Sequence, residues 1–168
     1  NRGIDGLRLD TRIYSPMSGT VVPLKDTADP VFGTGLIGPG VAIEPSVGRV
    51  CAPTGGVIVA VPPTAHAVGM KTDDGLEVLM HVGLDTVKLQ GEHFLAKVRA
   101  GDRVSRGQVL VEFDLEAIAA AGYPVISPVV VTNMPSEAEL TDVAAGPVRE
   151  GEELYQLAPT AVDATLLD

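Results

Sequence analysis

The segment Leu76-Glu-Val-Leu-Met-His81 decides the fold class, because apolar residues occupy every second position along most of it. A period of about two residues is typical of a β-strand, in which successive side chains point to opposite faces. Leu76, Val78 and Met80 are therefore expected to face the core. His81 is expected on the opposite face, at the end of the strand.

Similar short runs recur along the chain between turn-forming residues. The 168 residues include 19 Gly and 13 Pro, and the turn sequence Asp73-Asp-Gly75 directly precedes the strand above. The other β-branched or apolar runs are Gly19–Val22, Val41–Ile43, Gly56–Val61, Gln108–Phe113 and Val129–Val131. Many short strands at this spacing predict an all-β fold, an antiparallel β-sandwich or barrel with few short helices.

Helix signals are scarce. In the segment Asp114–Gly122, Asp114 is suited to be the N-cap, the interior is rich in Ala, and Gly122 is a stop signal. This pattern predicts one helix. A short second helix is predicted over Glu92–Val98.

Two pairs of segments resemble each other within the chain. Ser15–Val22 is similar to Ala52–Val59, and Gly101–Leu110 is similar to Gly146–Leu154. A glycine-bounded hairpin that is used twice would explain both pairs.

The length fits one domain with its own hydrophobic core. We expect a flexible N-terminal segment over residues 1–10, a folded domain over 11–157, and a flexible tail or linker over 158–168. The chain has neither an apolar run long enough to span a membrane nor a stretch that resembles a signal peptide. These features predict a cytoplasmic protein.

Charge and cysteine usage narrow the function classes. Lys and Arg total 12 against 22 Asp and Glu, which gives a net charge of −10. That balance disfavours nucleic acid and anionic membranes as partners, whereas it suits a basic protein partner or simply keeps the chain in solution.

The single cysteine, Cys51, excludes an internal disulfide and is interpreted as a small buried hydrophobe in a reducing compartment.

The histidines are the candidates for chemistry. His81 ends its strand and precedes Gly83, which would let a partner backbone approach closely, and nearby backbone N–H groups could bind an anion. Thr64 lies two residues before His66, so its hydroxyl could bond one imidazole nitrogen if the chain is extended. A neutral imidazole is nucleophilic near pH 7 and can carry a phosphoryl group. His93 has no comparable setting, and this chemistry alone does not exclude a structural role for His81.

A larger pattern supports the chemical role. The segments concerned are Ser15–Val22, Asp29–Phe32, Gly38–Ile43, Ala52–Val57, Thr64–Ala67, His81–Val87, Gly101–Val104, Glu112–Asp114 and Pro128–Met134. In this order and spacing, across about 15–157, the chain resembles the enzyme IIA domain, glucose family, of the bacterial phosphoenolpyruvate-dependent sugar phosphotransferase system. The block His-Val-Gly-Leu-Asp-Thr-Val at 81–87 is the most specific of them.

The resemblance implies a β-sandwich phosphocarrier. It implies that His81 accepts the phosphoryl group on Nε2, that His66 binds the phosphate and supports onward transfer, and that Thr64 hydrogen-bonds a histidine. The donor would be the phosphocarrier HPr, and the acceptor a cysteine on the IIB domain of a sugar permease. The resemblance leaves open whether the domain is free or tethered to that permease. The recognition face implied around the site comprises Asp29, Val31, Phe32, Leu79, Asp85 and Val87.

Several alternatives remain at this stage. Met70-Lys71 is similar to the modified lysine of lipoyl and biotin carriers, although those domains are about half as long. The spacing of His81 and Asp85 fits a zinc peptidase of lysostaphin type, but the chain lacks the His-x-His pair that such enzymes need. A regulatory binding protein of the same fold is also possible. No cofactor is expected, except that His66 and His81 could bind zinc together with a carboxylate from a partner.

Overall fold

The computed structural model describes residues 11–27 and 29–160. Their architecture is built from antiparallel strands with few short helices, which confirms the predicted fold class. The predicted flexible segment 1–10 lies outside the described residues, and so do residues 161–168 of the predicted tail.

The largest sheet places the strand of His81 near its centre. In spatial order its eight described strands are β13 (Gly146–Val148), β2 (Gly19–Pro23), β3 (Gly40–Pro45), β11 (Ser127–Val131), β7 (Glu77–His81), β6 (Ala67–Thr72), β5 (Gly56–Ala60) and β9 (Arg103–Val104). All neighbouring pairs are antiparallel. Because β7 has a hydrogen-bonded strand on each side, the backbone that carries His81 is held firmly.

Two smaller sheets and four helical segments complete the described structure. One sheet has the order β1 (Arg12–Tyr14), β14 (Glu153–Pro159) and β12 (Ala138–Thr141), and the other β4 (Arg49–Cys51), β10 (Val109–Phe113) and β8 (Phe94–Ala96). The helical segments are α1 (Pro30–Gly33), α2 (Leu115–Ala120) and the 3₁₀ turns Leu24–Asp26 and Thr86–Leu89. Within the described ranges, the helices are too short to cross a membrane.

Aliphatic side chains fill the core. Leu76, Val78 and Met80 are each at most 1% exposed, which confirms the predicted inward face of β7. Full burial of such a side chain contributes about 1.5–3 kcal/mol. Tyr155 is the largest fully buried side chain, and its hydroxyl donates to the carbonyl of Val129 at 3.0 Å. Burial raises the pKa of Tyr155, so its phenol remains protonated.

One helix prediction is confirmed and the other is wrong. The Asp114 side chain accepts from the Ala117 N–H at 3.0 Å, which caps α2 as expected. The predicted helix over Glu92–Val98 is instead a turn followed by β8, which pairs with β10. His93 has a φ of +76°, which a right-handed helix cannot include, and pairing with β10 outweighs the weak helix propensity of this segment.

The last strand extends two residues past the end predicted for the folded domain at residue 157. Strand β14 continues to Pro159, with Ala158 opposite Glu139 and Pro159 opposite Ala138. The sequence of the tail contains no sign of this pairing, because the partner strand lies about 20 residues earlier in the chain.

The internal repeat is a repeated structure, but it is not the predicted hairpin, because β9 pairs with β5 and not with β10, and β13 pairs with β2 and not with β14. The Gly151 N–H donates to the Ser15 carbonyl at 2.9 Å, and the Gly107 N–H donates to the Ala52 carbonyl at the same distance. Strand β2 then pairs with β13, just as β5 pairs with β9. In the strand order of the large sheet, β11 and β7 lie between these two pairs of strands, and β7 carries His81.

Candidate active site

His81 has one ring nitrogen bonded and the other available. Its Nδ1 lies 2.7 Å from the backbone oxygen of Gly83. A carbonyl oxygen can only accept, so Nδ1 carries the proton and the lone pair of the neutral ring is on Nε2. His81 lies opposite Ala67 of β6 in the sheet and is partly exposed, so a partner can reach the ring.

The loop after His81 is tightly held. Gly83 has a φ of +73°, and a Cβ at this position would lie 2.7 Å from both the Pro124 oxygen and the Thr86 Cγ2 atom. A side chain is therefore excluded here for two reasons, the backbone conformation and the close approach of neighbouring atoms.

The anion binding expected near Gly83 cannot come from the N–H groups of residues 82–84, because these are already hydrogen-bonded. The Val82 N–H donates to the His66 carbonyl at 2.7 Å, and the Leu84 N–H donates to the Pro124 carbonyl at 3.1 Å. The Gly83 N–H donates to Ser127 Oγ at 3.1 Å. These three donors fix the loop and are not available to a phosphate.

His66 stands beside His81. The two ring centroids are 5.0 Å apart and the ring planes are nearly perpendicular, at 79°. Thr64 Oγ1 lies 2.6 Å from His66 Nδ1, as predicted, although the chain between them is not extended. Ala65 has a φ of +56°, and its N–H donates to the Pro62 carbonyl at 2.8 Å. A tight turn, rather than strand alternation, brings the hydroxyl to the ring.

Ala65 adopts the left-handed conformation without being glycine, which costs an alanine about 1 kcal/mol. We expect Ala65→Val to lower the free energy of unfolding by about 2 kcal/mol, because a β-branched side chain is strained further at this φ. Ala65→Gly is the matched control and should stay within about 1 kcal/mol of the parent. Urea denaturation measures both variants. Equal losses in the two would contradict a strained left-handed turn.

Phe32 covers one side of the His81 ring. Its centroid lies 5.2 Å from that of His81, with an angle of 55° between the planes. The Asp29 carboxylate caps α1 by accepting from the N–H groups of Val31 at 2.7 Å and Phe32 at 3.2 Å. Asp29, which the sequence assigned only to partner binding, thus also positions Phe32.

The other residues predicted for a recognition face differ in exposure. Val31 and Val87 are 40% and 50% exposed, Asp85 is exposed with a φ of +62°, and Leu79 is partly buried. Phe32 is 7% exposed and packs into a small apolar cluster with Leu24, Ala42, Leu84 and Val130.

The environment keeps both imidazoles neutral. Burial lowers the pKa of His81 below its ordinary value of 6.5, and the opposing effects of the Gly83 carbonyl, Asp29 and Asp85 do not reverse that shift. Burial also lowers the pKa of His66, and the neighbouring His81 lowers it further. At neutral pH both rings therefore offer neutral nitrogen atoms.

A protein-family model described as phosphoenolpyruvate-dependent sugar phosphotransferase system, EIIA 1, matches residues 11–136. The chain belongs to this family. The matched residues include β7, Thr64, His66 and His81. The resemblance inferred from the sequence is therefore confirmed at the level of the family.

Individual relatives are similar over most of this EIIA domain. The glucose-specific EIIA component of Halalkalibacterium halodurans is 46% identical over 140 residues, which cover 83% of this chain and 81% of that protein. The β-glucoside-specific EIIBCA component of Bacillus subtilis is 50% identical over 121 residues, but these make up only 20% of its length. The structure of glucose permease IIA from Mycoplasma capricolum is 35% identical with a TM-score of 0.83, covering 88% of this chain and 95% of that one.

The lowered pKa of His81 predicts how this EIIA domain responds to pH. An NMR titration of the unphosphorylated protein should show the His81 ring protonating only below about pH 6.5. In the unfolded chain the same ring protonates at about 6.5, so the unfolded state binds more protons and stability falls as the pH drops through this window. A His81 midpoint above 6.5 would contradict the desolvated site.

The remaining candidates lie outside the site. Lys71 is an exposed residue within β6, two positions before the turn at 73–75, and not at a hairpin tip as a lipoyl or biotin carrier requires. The His93 carbonyl accepts from the Asp114 N–H at 2.9 Å. Cys51 is buried, as predicted, and burial together with Glu150 raises its pKa to about 11. In the described part of the chain, no three His, Cys, Asp or Glu side chains are arranged to hold a metal ion.

Proposed function

We propose that this EIIA domain carries the phosphoryl group on Nε2 of His81 and that His66 assists its transfer. As a phosphocarrier of the sugar phosphotransferase system, the domain accepts the group from HPr and passes it to a IIB domain. The observation that carries the residue assignment is the 2.7 Å contact between His81 Nδ1 and the Gly83 oxygen, which leaves Nε2 as the nucleophile.

The transfer needs no proton to leave His81. The Nε2 lone pair attacks phosphorus, the bond between phosphorus and the donor nitrogen of HPr breaks, and the donor ring keeps that electron pair. The His81 ring becomes positively charged while Nδ1 retains its proton. The Gly83 carbonyl accepts from that proton at 2.7 Å and so stabilises the charge.

His66 is placed to hold the phosphate. If the Thr64 hydroxyl donates to Nδ1, the neutral His66 ring carries its proton on Nε2. That N–H can donate to a phosphoryl oxygen on His81, because the two ring centroids are only 5.0 Å apart. Such a donor matters most when charge builds up on the oxygens during transfer.

The surroundings suit brief contact with another protein. The exposed apolar side chains of Val31 and Val87, together with Leu79, can exclude water when a partner docks. The nearby carboxylates Asp29 and Asp85 favour a basic partner surface, and they raise the association rate more than the affinity. A relay needs rapid release, so we expect a small interface of less than about 1,200 Å².

A two-step assay tests this function. In the first step, phosphoenolpyruvate with a labelled phosphoryl group, enzyme I and HPr should label the domain. In the second step, a purified IIB domain is added and the label should be transferred to its cysteine. A domain that takes no label, or that keeps its label in the presence of a panel of IIB domains, would contradict the proposal. The transfer proposed here does not require a zinc ion. His66 and His81 supply only two of the four ligands it prefers, so zinc binding at a partner interface stays a prediction.

A further inference from the structure

Two fully buried hydroxyl groups lie behind His81. Ser127 begins β11 and Thr86 begins the 3₁₀ turn after β7, and both are 0% exposed. A buried hydroxyl is costly unless it is hydrogen-bonded. Both hydroxyls bond to the same peptide unit, the one that joins Val82 to Gly83.

The two hydroxyls hold this peptide unit at opposite ends. Thr86 Oγ1 donates to the Val82 carbonyl, and Ser127 Oγ accepts from the Gly83 N–H at 3.1 Å. Ser127 donates its own proton to the Val125 carbonyl at 2.8 Å, so a lone pair of its oxygen remains for Gly83. The peptide plane therefore cannot rotate without breaking a buried hydrogen bond.

The next peptide unit carries the acceptor of His81. The Gly83 oxygen accepts from His81 Nδ1, and the Leu84 N–H of the same unit donates to the Pro124 carbonyl at 3.1 Å. A peptide that donates at one end becomes a better acceptor at the other. Because Gly83 has no side chain and a φ of +73°, the surrounding hydrogen bonds must fix its orientation.

We propose that Ser127 and Thr86 are positioning residues for phosphoryl transfer. They fix the Val82–Gly83 peptide so that the Gly83 carbonyl faces His81 Nδ1, and this contact keeps the lone pair of His81 on Nε2. The inference rests on the proposed function of His81. It extends that function to two residues that never contact the phosphate and act only through the backbone between them.

The competing explanation is that these hydroxyls serve only to stabilise the fold. Ser15 provides a matched control, since it is 1% exposed and its Oγ donates to the Met17 carbonyl at 2.7 Å, which is also two residues away. Ser15 lies between β1 and β2, outside the loop that carries Gly83. Loss of its hydroxyl should reduce stability by removing one buried hydrogen bond but should leave His81 unchanged.

The test measures the tautomer of His81 by ¹⁵N NMR in the full, unphosphorylated chain. In the parent protein, Nδ1 should carry the proton. In Ser127→Ala and in Thr86→Val, the fraction of rings protonated on Nε2 should rise several-fold, while Ser15→Ala matches the parent. At saturating HPr, the phosphorylation rate should fall about fivefold in Ser127→Ala and in Thr86→Val, which is the typical effect of losing one hydrogen bond. The KM for HPr should be unchanged.

Two variants, Ser127→Thr and Thr86→Val, ensure that the test can be interpreted. Ser127→Thr retains the hydroxyl and should restore the parent tautomer and rate. If Ser127→Ala does not fold, Thr86→Val addresses the same peptide from its other end. An unchanged His81 tautomer in the variants that fold would overturn the proposal, and so would an equal shift in Ser15→Ala. Because the tautomer is measured without any phosphoryl donor, its result is independent of where the phosphate is carried.

Discussion

Replacing His81 with alanine is expected to abolish phosphorylation of the domain by phosphoenolpyruvate, enzyme I and HPr. The variant has no nitrogen in place of Nε2, and loss of a covalent nucleophile reduces such a reaction by at least roughly 10⁴-fold. His66 cannot substitute, because in the proposed arrangement its Nε2 carries a proton and points to the phosphate as a donor. Incorporation of labelled phosphate, followed over time, measures the effect.

The third histidine provides the control for this experiment. His93 lies before β8, where its carbonyl accepts from the Asp114 N–H. Asparagine tolerates the φ of +76° found there, so His93→Asn should fold and take up label at the parent rate. Normal uptake of label by His81→Ala would disprove the assignment of His81.

The second large effect is expected for His66→Gln. This variant should still accept the phosphoryl group, because the His81 nucleophile and its contact with Gly83 are intact. Onward transfer to a IIB domain should fall by about 10²-fold, the usual result of removing one hydrogen-bond donor that acts in the transition state. The chase of label from the purified phosphorylated domain to IIB measures this step alone.

Thr64 offers a graded comparison. Thr64→Val removes the 2.6 Å contact with His66 Nδ1 but keeps the imidazole. The rate of its onward transfer should therefore lie between the rates of the parent and of His66→Gln.

Equal rates of onward transfer in the parent and His66→Gln would show that His66 has no role in the transfer.

The sequence predicted the parts of the fold that depend on local pattern. The alternation at Leu76, Val78 and Met80 is found as the buried face of β7, because a two-residue period has only one orientation that covers the core. The cap at Asp114 is found because its side chain bonds an N–H only three residues away. Family resemblance added the histidine pair, whose chemistry alone left a structural role open.

Features that depend on distant partners were not predictable in this way. Strand β8 was mistaken for a helix because its pairing with β10 joins residues 15 to 19 positions apart. The interaction of Ser127 with Gly83 spans 44 residues, and nothing in the sequence around Ser127 indicates a role near His81. Ala65 was taken as part of an extended chain because an alanine gives no sign of a positive φ.

These features together explain why a central strand is a suitable place for the histidine proposed to carry the phosphoryl group. Strands β6 and β11 hold the backbone of His81, the loop after it supplies the carbonyl for Nδ1, and Phe32 covers one side of the ring. The imidazole thus needs little rearrangement when a donor or an acceptor docks. Such prior positioning accounts for much of the rate of a phosphoryl transfer.

The most direct test is to locate the phosphoryl group on the intact protein. The ¹⁵N-labelled domain would be phosphorylated by HPr, and coupling between ³¹P and the ring nitrogens would be measured. The account predicts coupling to Nε2 of His81, with the proton still on Nδ1. A phosphoryl group on Nδ1 of His81, on His66, or on any other residue would contradict it.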